Sequence, residues 1–225
     1  MPMPHSAFDI IGPAMIGPSS SHTAGAARIG LVARALLNSP PQDAAIELHG
    51  SFAATGKGHA TDRALVAGLL GFAPDDERLK DSLGLAEGEG ITVHFSTVDL
   101  GEEAHPNTAR IRLTGRDGDS LSLTAASVGG GSIDVQAVDH FQTSFGGQLE
   151  TLVLWHLDKP GFLAKVTALL ACVEANIASI RTSRQTRGHE ALTILEVDAP
   201  LPDDCLSLLA RTSSVHRVCH LLRLP

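Results

Sequence analysis

The residues best suited to chemistry lie in three polar segments. The first is Gly12-Pro13-Ala14-Met15-Ile16-Gly17-Pro18-Ser19-Ser20-Ser21-His22-Thr23-Ala24-Gly25. Three serines, a histidine and a threonine stand immediately before an apolar helical pattern. Ser21 or Thr23 is placed to cap that helix. Its open amide groups, together with the hydroxyls, suit a carboxylate or a phosphate, and nothing in the residues chooses between the two. The second segment runs from Gly50 to Asp62 and holds His59 just ahead of another helical pattern. A histidine there can donate or accept a proton near neutral pH, or simply bond to Asp62. Gly56-Lys57 suggests a phosphate loop, but the first glycine of that motif falls on Ser51 and Gly58 replaces the closing Ser/Thr, so it fails at both ends. The third segment, His105-Pro106-Asn107-Thr108, offers an amide and a hydroxyl, or is only a turn. His22, His59 and His105 match no compact zinc spacing.

Elements must position these residues. Apolar periodicity predicts helices over 23–37, 61–70 and 79–88 and strands over 45–49, 91–95, 109–113, 120–127 and 133–138. Gly129-Gly130-Gly131 reads as a bend, a bulge or a place of close backbone approach. From about residue 148 the pattern becomes more regular. Strands over 149–156, 177–184, 190–197 and 215–222 alternate with helices over 162–174 and 203–209, giving β-α-β-β-α-β, a ferredoxin-like order. The fold class is α+β, with a first domain over 1–147 and a second over 148–225. In the second, Asp158, Pro160 and Gly161 form a turn before a helix, suited to an amino-acid carboxylate or to no ligand at all. Asn176 and Ile177 mark that helix's exit. Trp155 reads as core or interface.

The 225 residues carry a formal charge of −8, with 43% apolar and 19% charged residues. This is globular composition. Residues 1–150 hold nine basic and eighteen acidic side chains, a balance of −9, against eight and seven, or +1, in the remainder. A broad nucleic-acid surface is not expected. No signal peptide or membrane span is legible, and Cys172, Cys205 and Cys219 are too few and too scattered for a disulfide scaffold. They read as small core residues, and the chain as cytoplasmic.

Phe8-Asp9-Ile10-Ile11-Gly12-Pro13, Ser19-Ser20-Ser21-His22-Thr23, Gly50-Ser51-Phe52-Ala53 with Gly58-His59-Ala60-Thr61-Asp62, and His105-Pro106-Asn107-Thr108-Ala109 occur in order. Together they closely resemble the beta subunits of bacterial iron–sulfur-dependent L-serine dehydratases, across essentially the whole chain. The second region resembles an ACT domain. The resemblance implies conversion of L-serine to pyruvate and ammonia without pyridoxal phosphate. It also implies a [4Fe-4S] cluster whose open iron acts on the substrate hydroxyl. No cysteine lies in the first region, so the cluster is expected on a cysteine-containing alpha subunit. By the same resemblance Ser19, Ser20, Ser21, His22 and Thr23 complete a serine pocket, with His22 and Ser21 among the catalytic candidates. His59 is the expected proton-transfer residue, Thr61 and Asp62 support it, and Asn107 and Thr108 are further pocket residues. Asp158, Pro160, Gly161, Asn176 and Ile177 are expected to bind a regulatory ligand such as L-serine. Ala178 departs from the polar residue many such domains have there, which leaves dimerisation as the module's other role. Two other readings are a free-standing serine sensor and a relative of the intervening and ACT domains of phosphoglycerate dehydrogenases. The second lacks a convincing dinucleotide-binding glycine pattern.

Overall fold

A computed structural model describes residues 14–225; the Phe8–Pro13 part of the resemblance lies outside the described residues. By compactness the chain divides into two units, with the break between Asp139 and His140.

In the first unit, a π-helical turn over Ser20–Gly25 leads directly into α1 (Ala26–Leu37). The expected single helix from Thr23 is therefore two kinds of helix. Ser19 is the residue that caps it, its hydroxyl accepting the His22 N–H, in place of Ser21 or Thr23. β1 (Pro41–Leu48) follows, then a short α2 (Gly50–Thr55) that the glycine-rich sequence hides, then α3 (Thr61–Leu69). A 3₁₀ turn over Glu77–Asp81 precedes α4 (Ser82–Gly88) where one helix is expected. β2 (Thr92–Thr97), β3 (Thr108–Gly115), β4 (Ser120–Gly129) and β5 (Ser132–Val138) complete the unit. Its strands stand in the order β2-β1-β3-β4-β5. β1 and β2 run parallel, and the other neighbours are antiparallel. Gly129-Gly130-Gly131 makes the turn between β4 and β5, with φ of +112°, +59° and +80°.

α1 is buried along most of its length, with Ile29, Val32, Leu36 and Leu37 in the core. It meets α3 at two glycines. A methyl group on Gly30 would lie 2.2 Å from the Leu65 carbonyl oxygen, and one on Gly68 would lie 2.1 Å from that of Ala27. Only hydrogen lets the two backbones come this close.

The second unit begins with β6 (Phe141–Phe145), a strand too short to show a period in the sequence. β7 (Glu150–Leu157), α5 (Phe162–Cys172), β8 (Ile177–Arg184), β9 (Glu190–Val197), α6 (Asp203–Ala210) and β10 (Val215–Leu221) follow. The sheet order β10-β7-β9-β8 is antiparallel throughout, which is the expected ferredoxin-like fold. Its core packs Leu152, Leu154, Leu195 and Val197 of the sheet against Phe162, Val166 and Leu170 of α5 and Cys205 and Leu209 of α6. Among the described residues no helix is long and apolar enough to cross a membrane.

Candidate active site

β1 ends at Leu48, and Gly50 turns the chain at once into α2. Gly50 has φ +54°, and a methyl group there would lie 2.7 Å from the Pro106 carbonyl oxygen. Position 50 therefore demands glycine on both counts. The close approach sets the His105–Thr108 loop against the start of α2, where the Phe52 N–H donates to the Pro106 carbonyl.

α2 faces the π turn. The His22 ring, only 9% exposed, lies among four hydroxyls. Its Nδ1 is 3.3 Å from Ser21 Oγ and 3.4 Å from Ser19 Oγ. Its Nε2 is 3.1 Å from Thr55 Oγ1 and 3.2 Å from Ser51 Oγ. Phe52 packs edge-on against the ring with centroids 5.2 Å apart. Burial, and then the nearby His59, lower the His22 pKa and favour the neutral ring. Neither Ser51, quoted only in the failed phosphate loop and the family motif, nor Thr55 is among the expected site residues. Their i, i+4 spacing, which puts both hydroxyls on one face of a helix, was the available signal.

His59 lies in the turn between α2 and α3. The two imidazole centroids are 4.9 Å apart, tilted by 40°. His59 Nδ1 is 3.1 Å from the Thr55 carbonyl oxygen. A carbonyl only accepts, so Nδ1 is the donor in this contact. Asp62, the expected partner of His59, instead accepts the Arg63 N–H at 2.8 Å. Ala60, beside His59, adopts a left-handed backbone with φ +57°, an unusual state for a residue with a side chain.

Thr23 and Thr61 are fully buried, and neither hydroxyl has a hydrogen-bond partner among the described residues. Ser20 is half-buried. The Thr108 hydroxyl donates to the His105 carbonyl at 2.6 Å, which places it inside its own turn. The Asn107 N–H donates to His105 Nδ1, and its carbonyl accepts the Ser127 N–H. The Asn107 side-chain oxygen is buried without a partner.

In the second unit, the Asp158 carboxylate accepts from Arg184 Nη1 at 2.6 Å and the Gly188 N–H at 3.1 Å. These two contacts, the Gly188 amide first, hold its pKa below the usual carboxylate range. Pro160 and Gly161 lead into α5. Asn176, whose amide donates to Asp198, and Ile177 lie past the other end. The 11 residues of α5 put roughly 16 Å of helix between the two sets. Within one copy they are two places.

Among the described residues no group of three or more His, Cys, Asp and Glu side chains is arranged to hold a metal ion. Cys172 is exposed, while Cys205 and Cys219 are buried. Burial raises both buried thiols, that of Cys219 to about 11. Among the described residues these cysteines form no ligand group of the kind that a [4Fe-4S] cluster needs.

The His22–His59 pair thus stands among hydroxyls on an α+β scaffold. The model of the serine dehydratase beta chain matches residues 6–87, the stretch that holds both histidines. The chain is 42% identical over 213 residues to a probable L-serine dehydratase, beta chain, of Bacillus subtilis (strain 168), covering 95% of this chain and 96% of that one. It is 38% identical over 205 residues to the L-serine dehydratase, beta chain, of Peptoniphilus asaccharolyticus, covering 91% and 92%. The chain belongs to the family of L-serine dehydratase beta chains. Among solved structures, the ACT domain from GTP pyrophosphokinase of Chlorobium tepidum matches 32% of this chain and 95% of its own, at 17% identity and a TM-score of 0.28. The ferredoxin-like order rests on the strand pairing itself.

Proposed function

We propose that this chain is the beta subunit of an L-serine ammonia-lyase, converting L-serine to pyruvate and ammonia together with an alpha subunit. The observation that carries the reading is the His22–His59 pair, with His59 Nδ1 held by the Thr55 carbonyl beside a ring set among four hydroxyls. Elimination requires a base for the α proton and loss of the β hydroxyl as water. The resulting enamine becomes an imine, and water then hydrolyses that imine to pyruvate and ammonia. In this reading His59 Nε2 takes the α proton. His22 stays neutral, so it adds no charge beside the base, and the Ser19 and Ser21 hydroxyls together with the turn amides meet the substrate carboxylate. The [4Fe-4S] cluster belongs to the alpha subunit, because the cysteines here do not fit it. Three cysteines outside any disulfide suit a reducing cytoplasm. The second unit is read as an ACT domain that binds an amino acid between copies or holds copies together.

The test is anaerobic co-expression with the alpha chain, followed by iron analysis and an L-serine-to-pyruvate assay. Activity in the complex and none in the isolated chain is the expected result. A stable, iron-loaded complex that binds serine but makes no pyruvate overturns it.

A further inference from the structure

Among the described residues β2 is the outermost strand of its sheet, pairing in parallel with β1. Its six residues, Thr92–Thr97, are all exposed or half-buried, and Phe95 is 38% exposed. The Val98 N–H, just past the strand, donates to the Leu48 carbonyl. Alternation along a strand then turns the N–H groups of Val93, Phe95 and Thr97 outward, away from β1. Open edges in lone proteins are usually blunted by lysine, proline or a bulge. Thr-Val-His-Phe-Ser-Thr contains no lysine or proline, and its register with β1 is unbroken.

The flanks of this edge are acidic. From Asp75 to Glu103 the chain has nine acidic and two basic residues, a balance of −7 against −8 for all 225 residues. Glu87 and Glu89 precede the strand, and Asp99, Glu102 and Glu103 follow it, all exposed. Two copies meeting edge to edge would bring like charge together, whereas a basic segment would meet opposite charge.

The edge also leads to the site. Thr97 is in register with Leu48, and the Leu100 N–H donates to His49 Nδ1, one residue before α2 and its Ser51 and Thr55.

We propose that the outer edge of β2 seats an extended, basic segment of the alpha chain, added as a further strand. Main-chain hydrogen bonds hold it, an apolar side chain covers Phe95, and the acidic flanks set its charge preference. A segment seated there ends beside the hydroxyl cradle, where the other subunit's groups are needed. The proposal rests on the two-subunit reading given above.

Two variants test it in the full chain. Phe95→Lys places a cation at the edge, and Thr97→Pro removes an outward donor without removing a bond to β1. Binding to recombinant alpha chain is measured by sedimentation velocity at low and high salt, with thermal melting as the check on folding. Each variant is expected to bind at least about tenfold more weakly, a loss of about 1.4 kcal/mol. Wild-type binding is expected to weaken as salt rises. If Thr97→Pro fails to fold, Phe95→Lys decides. Folded variants that bind the alpha chain as tightly as wild type overturn the proposal. So does wild-type self-association that the variants abolish, which assigns the edge to a second copy. A wild-type chain that binds no alpha chain overturns the two-subunit reading itself, and this proposal with it.

Discussion

The imidazoles of His22 and His59 stand 4.9 Å apart, although each is held by a different element: His22 by the π turn before α1, and His59 by the turn before α3. His59 Nδ1 is engaged by a main-chain carbonyl, while both His22 nitrogens face hydroxyls. In the proposed reaction the His59 ring exchanges the proton, while burial favours the uncharged form of His22.

Replacing His59 with alanine is expected to lower kcat about 10²–10⁴-fold, the range for loss of a general base. Cluster content and subunit assembly are expected to stay unchanged. Steady-state pyruvate formation and serine binding by the assembled complex check this, and full turnover in His59→Ala removes the residue from the chemistry.

Stability is expected to fall as pH drops below the ordinary histidine range. Burial lowers the folded-state pKa of His22 from 6.5, so below pH 6.5 the unfolded chain binds a proton that the folded chain resists. The loss grows down to the folded pKa and then levels off. His156, also lowered by burial, contributes with the same sign in the second unit. Melting curves at pH 7.5, 6.5 and 5.5 are expected to show a smaller decline for His22→Asn than for wild type.

Thr55→Val keeps the shape of the side chain but removes a hydroxyl 3.1 Å from His22 Nε2. Losing that hydrogen bond is expected to cost about 0.5–1.5 kcal/mol, with kcat falling roughly three- to tenfold if the ring loses its orientation. Thr55→Ser is expected to restore both. The His22 ring resonances in NMR should move in the valine variant and return in the serine variant.

Ala60→Gly is expected to stabilise the first unit by about 0.5–1 kcal/mol, because glycine adopts φ +57° without a Cβ clash. Denaturant titration measures the gain. A variant that is more stable but slower would show that the stiff left-handed residue also fixes His59.

The thiols are expected to react in two classes. Exposed Cys172 reacts promptly at pH 8, whereas Cys205 and Cys219 wait for unfolding. A disulfide-exchange reagent in native buffer should count one fast thiol, and in denaturant three.

Much of this architecture is local and therefore legible. The apolar stripe Phe162, Val166 and Leu170 predicts α5, and alternation predicts the strands around it. The serine–histidine run stands out because a polar segment abutting a helical pattern needs no tertiary information. α2 escapes because six residues opened by glycine show less than two turns of periodicity. β6 escapes because five residues cannot distinguish alternation from chance. The π turn depends on packing: a methyl group on Gly25 would fall 2.0 Å from Ser127 Oγ, a residue far along the chain. The hydroxyl cradle is missed for the same reason. Ser51 and Thr55 acquire meaning only when α2 is folded against His22.

The contact of α1 and α3 at Gly30 and Gly68 sits within the first turns of one helix and the last of the other, and each helix begins just past one of the two histidines. A side chain at either glycine would drive the two rods apart, and so would disturb the supports of both histidines without altering a residue of the site.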